Sequence, residues 1–192
     1  MPARPARISS LEHAMMGLID QAPQSGYDLR TAFAKTPLAH FSDSPGAIYP
    51  ALLRLRRRGW IVTTGEKAAN ARGRTAFRLS SRGRQAFLRW LRTPPSRDEL
   101  LHDSSGPVLR FAFMSQALSV DEALAFLRSY REVLSAYVGE LRLFHEEFGR
   151  AMPPSGRLAF ESGIEGHRHL LNWTRRAERS LMASSASPSR RS

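Results

Sequence analysis

The chain has 192 residues, 42% of them hydrophobic, with no cysteine and a formal net charge of +12. That length suits one mid-sized domain or two small ones, the missing cysteines exclude disulfides and cysteine-held zinc, and the absence of any run of about 18 apolar residues excludes a membrane-spanning helix. The charge is uneven: residues 1–95 hold 16 Arg+Lys against 5 Asp+Glu, while residues 96–192 hold 13 against 12.

A polyanion is therefore the expected partner of the first half. A genome that favours arginine codons would raise arginine everywhere and cannot explain the imbalance. Residues 1–8 read as a flexible basic arm. They lack the apolar stretch of a secretory leader, so a cytoplasmic protein is expected. Ser9 and Glu12 have the spacing of a capping box, opening a first helix that ends near Gln21 with Leu11, Met15, Leu18 and Ile19 inward. Residues 22–26 predict a turn. A second helix over residues 27–35 buries Leu29 and Phe33 and stops at Thr36-Pro37.

The third predicted helix carries the most information. Ser44 stands at its N-cap, Pro45 at its first turn and Gly59 just past its end. At 100° per residue, Ile48, Leu52 and Leu55 form a core stripe. Gly46, Tyr49, Pro50, Leu53, Arg54 and Arg57 fall on the far side, with Arg56 and Arg58 at its flanks. A glycine, a phenol and two arginines sharing one outward face suit a recognition helix lying in a DNA major groove. Ser44 and Gly46 would let the helix N-terminus approach a phosphate closely.

Two short strands follow over residues 60–64 and 75–79, joined by the polar, basic segment 65–74. A fourth helix, capped by Ser80 or Ser81, turns Ala86, Phe87, Trp90 and Leu91 inward, and Pro94-Pro95 closes the domain. The order predicts a mainly α protein with an N-terminal winged helix-turn-helix over residues 9–95 and a two-stranded wing. Lys67, Arg72 and Arg74 on the wing would lie near a phosphate backbone or minor groove.

In the second half, Ser119 and Glu122 form another capping-box pattern. From Val120 through Ala123, Leu127, Tyr130, Leu134, Tyr137, Leu141 and Phe144 to Phe148, larger apolar residues alternate spacings of three and four. Such a heptad seam needs a partner, which is the last helix (residues 158–182), a second copy of the chain, or both. A C-terminal α-helical dimerisation and effector domain is expected over residues 107–183, with a disordered tail over 184–192.

Several of these segments resemble the PadR family of bacterial transcriptional regulators. LIDQAPQSGYDL (18–29) is similar to its L-L-x-x-x-P-x-x-G-Y-E-L opening. SPGAIYPALLRL (44–55) resembles its recognition-helix pattern S-x-G-x-I-Y-P-A-L. Gly59-Trp60-Ile61 resembles its G-L-I exit, and RGRTAFRLSSRGR (72–84) resembles its wing strand. Phe77 stands where the family usually has a wing tyrosine, and the wing proline and lysine near Arg74-Thr75 are absent. LRFAF (109–113) sits where the helical domain of the longer subfamily begins. The resemblance implies a cytoplasmic, homodimeric regulator of double-stranded operator DNA, usually a repressor, released by a small aromatic or drug-like effector.

Trp173, with Tyr130 and Tyr137 on the seam, supplies flat aromatic surface and is the candidate effector site. No cofactor or metal is expected. Glu165 and His169 share a helical face, but His167 points away from them. His102-Asp103-Ser104 are consecutive and cannot converge as a triad, so no enzyme is expected. Competing expectations are a non-specific architectural DNA-binding protein and a protein-interaction adaptor using the helical domain.

Overall fold

A computed structural model describes residues 8–42, 44–67 and 75–186. The expected basic arm, all but Ile8, and the end of the expected tail lie outside the described residues. Two compact units emerge, one ending at Leu91 and the other beginning at Arg92.

Among the described residues, the first unit holds four α-helices and a small sheet. Helix α1 (Ser10–Gln21) opens on the Ser9/Glu12 capping box. Helix α2 (Gly26–Lys35) has a second one, with Ser25 and Asp28 exchanging hydrogen bonds, and a 3-10 turn over Pro37–His40 follows it. Helix α3 (Pro45–Arg57) starts at Ser44, whose hydroxyl accepts from the Ala47 amide. It ends where the Gly59 amide donates to the Arg56 carbonyl and the Trp60 amide to the Leu55 carbonyl. That paired closure requires a left-handed residue between the helix and Trp60, and Gly59 supplies it with φ of +69°. Buried Met15, Ile19, Leu29, Phe33, Ile48 and Leu55 meet Phe87 and Leu91 of α4 (Ser81–Arg92) in one core.

The wing strands are β2 (Ile61–Lys67) and β3 (Thr75–Leu79), antiparallel, with an irregularity between Thr63 and Lys67. The sheet has three strands, one more than the sequence predicts. The expected turn before α2 contains β1 (Gln24–Ser25), which pairs with Phe77 and Ala76 in the order β1-β3-β2. Two polar residues carry no alternation, and only β3, some fifty positions away, makes them a strand.

The second unit is all helical among the described residues: α5 (Arg97–His102), α6 (Gly106–Ala112), α7 (Met114–Ala117), α8 (Val120–Phe148) and α9 (Pro154–Ala186). It takes in residues before 107, since Leu100 of α5 packs in the same cluster as Tyr130, Leu134 and Leu171. Helix α9 also runs past Met182 to Ala186, so the first residues of the expected tail are helical. Along α8 and α9, Arg131 meets Glu178, Tyr137 meets His167 and His145 meets Glu161. Partner numbers fall as α8 advances, so the pair is antiparallel. Helix α9 thereby covers the middle of the seam, where Leu127, Tyr130 and Leu134 are fully buried. The far end stays open: Leu143, Phe144, Phe148 and Leu158 are 67%, 46%, 45% and 61% exposed. No helix among the described residues is long and apolar enough to cross a membrane.

Candidate nucleic-acid interface

Ile48, Ala51, Leu52 and Leu55 anchor α3 in the core, which forces its opposite side into solvent. Tyr49 and Leu53 are 50% and 46% exposed there. Together with Arg56 they form one wall of a concavity of about 460 Å³, whose other walls are Gly26 and Tyr27 at the start of α2 and Thr75 and Phe77 of β3. The surface thus combines a phenol, a guanidinium and apolar contact area between a helix start and a wing strand. The Arg30 guanidinium lies 5.4 Å from the Tyr27 ring centroid, extending the basic surface along α2.

The four arginines of α3 divide by their neighbours. Arg54, expected on the outward face, turns its Nε to Glu12 Oε1 of α1 at 3.0 Å. Glu12 is only 2% exposed. Burial alone would push its carboxyl up, but the Ser9 amide and hydroxyl and the Arg54 guanidinium outweigh that and hold it below the ordinary carboxylate range. Arg54 is therefore committed on one side to neutralising a buried charge. Arg58 lies over the Trp60 ring at 5.3 Å. Arg57 is exposed, and among the described residues neither Arg56 nor Arg57 has a carboxylate within ion-pair distance. Arg56 is the residue sequence reasoning left at the flank. Its position at 80° on the helical wheel, beside Tyr49 at 100°, is a signal that could have found it.

Ser44 and Gly46 sit at the exposed α3 N-terminus. Lys67 is placed by its backbone at the end of β2, opposite Thr75. Arg72 and Arg74 lie outside the described residues.

Gly26 couples α2 to this surface. A Cβ there would sit 2.7 Å from Tyr49 Cε1 and 3.2 Å from Leu52 Cδ1. Gly26→Ala therefore displaces the Tyr49 ring, the movable end of a flexible side chain. Overall stability should change by less than about 1 kcal/mol, because alanine favours the helix as much as the contact opposes it. DNA affinity should nevertheless fall, by an amount similar to that in Tyr49→Ala. An unchanged affinity in both variants removes Tyr49 from the interface.

The aromatic trio of the second unit is packed rather than open. Tyr130 is fully buried, its hydroxyl without a partner among the described residues, and burial and the Glu99 charge push its pKa up. Tyr137 lies between the Arg97 guanidinium and the His167 ring, and Trp173 meets Phe111 edge to face at 5.5 Å. A concavity of about 290 Å³ in that unit is lined by other residues, among them Phe111, Leu118, Val120 and Leu181. Asp103 caps α6 by accepting from the Gly106 amide and Ser105 hydroxyl, and His102 bonds back to the Asp98 carbonyl.

Residues 15–89 match the family described as transcriptional regulator PadR-like. The chain is 27% identical over 158 residues to the negative transcriptional regulator PadR of Bacillus subtilis (strain 168), an alignment covering 82% of this chain and 83% of that protein. Among solved structures, a PadR-like transcriptional regulator from Bacillus cereus is 23% identical, covering 91% of this chain and 99% of that one, with a TM-score of 0.39. Bacillus subtilis PadR in complex with operator DNA is 22% identical, covering 90% and 99%, with a TM-score of 0.40.

Proposed function

We propose, from the match of residues 15–89 to the PadR-like transcriptional regulator family, that this chain is a dimeric repressor that holds its operator through α3 and the wing and releases it on binding a small aromatic effector. The observation that carries the reading is the outward face of α3. Its core stripe leaves Tyr49, Leu53, Arg56 and Arg57 exposed beside the start of α2 and strand β3, in the half of the chain that holds 16 basic and 5 acidic residues.

In this reading Ser44 and Gly46 let backbone N–H groups meet a phosphate. Arg56 and Arg57 reach base edges or phosphates, Arg54 contributes from the flank, and Lys67, Arg72 and Arg74 follow the backbone from the wing. The exposed Phe144, Phe148 and Leu158 at the end of the α8/α9 hairpin support a second copy as partner of the helical unit. Trp173 is the reporter for the effector, with Tyr130 and Tyr137 behind it.

The test is fluorescence anisotropy with the DNA upstream of the protein's own gene against a scrambled duplex, at about 150 mM salt. A preference of ~10³ or more is expected. Arg57→Ala should lose about 1–3 kcal/mol of operator affinity. Equal binding to both duplexes refutes a sequence-specific repressor, and an unaffected Arg57→Ala moves the interface to another face. Light scattering at micromolar protein should give twice the chain mass; a monomer ends the dimeric reading.

A further inference from the structure

The second unit carries a cationic cleft that the DNA-binding reading does not use. Across one flank of the α8/α9 hairpin, Gly139 and Arg142 face Arg168, Asn172 and Arg175 over a volume of about 250 Å³. Positions 168, 172 and 175 recur at helical spacing, so the α9 side chains form a row. The two α9 arginines stand two turns apart, about 10.5 Å along the axis. Gly139 adds no side chain, and a Cβ built there would touch nothing within 4 Å, so the cleft is open at that point. Buried Val138 and Leu171 make an apolar floor.

Several arginines of this unit meet acids: Arg131 with Glu178 at 2.9 Å, Arg97 with Glu140 at 2.7 Å, and Arg157 with Glu161 at 3.8 Å. Residues 96–192 as a whole are close to charge balance, 13 basic against 12 acidic. In the cleft, Arg175 donates to Asn172 Oδ1 at 3.4 Å. Among the described residues, neither Arg142 nor Arg168 has a carboxylate within ion-pair distance. Three like charges gathered over an apolar floor repel one another, and a bound anion relieves that repulsion. Guanidinium forks match the oxygens of phosphate and carboxylate groups.

We propose that this cleft binds a small multivalent oxyanion, one that carries two or more phosphate or carboxylate groups in an extended arrangement. The length of the arginine row favours such an anion over a single phosphate, which reaches only part of the row. The site is separate from the winged helix and stands whether or not α3 reads an operator.

Isothermal titration of the full chain with tripolyphosphate, citrate and orthophosphate at matched ionic strength tests it. The expected result is one saturable site per chain for tripolyphosphate or citrate, with orthophosphate much weaker. The preferred one of the two assigns phosphate or carboxylate chemistry. The site should persist in R56Q/R57Q and lose about tenfold or more in affinity in Arg168→Gln or Arg175→Gln. These are exposed positions, and circular dichroism checks that the variants stay helical. Heats that vanish in R56Q/R57Q and survive in Arg168→Gln place the anion on the winged helix and overturn the proposal. Equal heats from all three salts overturn it as plain screening. Absence of anion binding, with a dimer weakened by Arg168→Gln in sedimentation, gives the cleft to a second copy and overturns it as well.

Discussion

Gly83→Ala should destabilise the winged-helix unit by about 3 kcal/mol, the upper range for overpacking. The reason lies in how α4 starts. The Ser80 amide donates to the Trp60 carbonyl at 2.9 Å and the Ser80 hydroxyl to the Gly59 carbonyl at 2.6 Å, while the Gly83 amide donates back to the Ser80 hydroxyl at 3.0 Å. These bonds pin the first turn of α4 against the corner where α3 passes into β2. A Cβ at Gly83 would lie 1.9 Å from the Trp60 carbonyl oxygen and 2.7 Å from its carbon. Both are backbone atoms, so no rotamer change relieves the clash. The helix must move away, and Phe87 and Leu91 move with it out of the core. For a unit of this size, that loss is on the order of 15 °C in melting temperature. Gly139→Ala is the control: with nothing near its Cβ, it should be neutral or slightly stabilising. If both variants melt like the wild type, the packing of α4 on the α3–β2 corner is wrong.

The second large effect belongs to the helical unit. Arg110 of α6 is 3% exposed. Its guanidinium donates to Glu99 Oε1 and, at 2.5 Å, to the Thr93 carbonyl, and lies over the Phe126 ring. Arg110→Met should cost about 3 kcal/mol or more, because it leaves the Glu99 charge half-buried without its cation. The double variant R110M/E99Q should recover most of that, since replacing both members of a buried pair is often close to neutral. Burial pushes the Glu99 carboxyl up, with Arg110 opposing the shift. An acid whose folded value is raised binds its proton more readily folded than unfolded, so its contribution to stability increases as pH falls through that value. Removing Arg110 should raise the Glu99 value further. The single variant should therefore regain stability on acidification, and R110M/E99Q should lack that pH response. Urea denaturation of the three proteins across the mildly acidic range decides it. A single variant with no pH-dependent recovery, or a double variant no better than the single, shows that Glu99 and Arg110 do not act as a pair.

Local chemistry was readable. The starts of α1, α3 and α8 follow from Ser9 with Glu12, Ser44 with Pro45, and Ser119 with Glu122, each a contact within three residues. The stop at Gly59 follows from a backbone conformation that glycine adopts most easily. The outward face of α3 was readable too, because Ile48, Leu52 and Leu55 fix which side is buried.

What tertiary structure decided are the matters in which a distant neighbour chooses between equal local options. On the helical wheel, Arg54 and Arg57 look alike. Glu12, 42 positions earlier, engages only Arg54, and the start of α2 with strand β3 makes Arg56 part of the concavity. The Ser25/Asp28 cap and β1 were hidden inside a segment that reads as a turn until β3 pairs with it. The heptad seam revealed a helix in need of a partner, but periodicity carries no address. Antiparallel α9 covers Leu127 to Leu134, and the end near Phe148 stays open. Tyr130 and Trp173 are aromatic in either role, and only packing placed Tyr130 in the core. Sequence by itself determined the helix starts and the buried stripes, because caps and periodicities act over one or two turns. Side-chain pairing and the shapes of surfaces depend on elements brought together from far along the chain, so they became definite only in the folded protein.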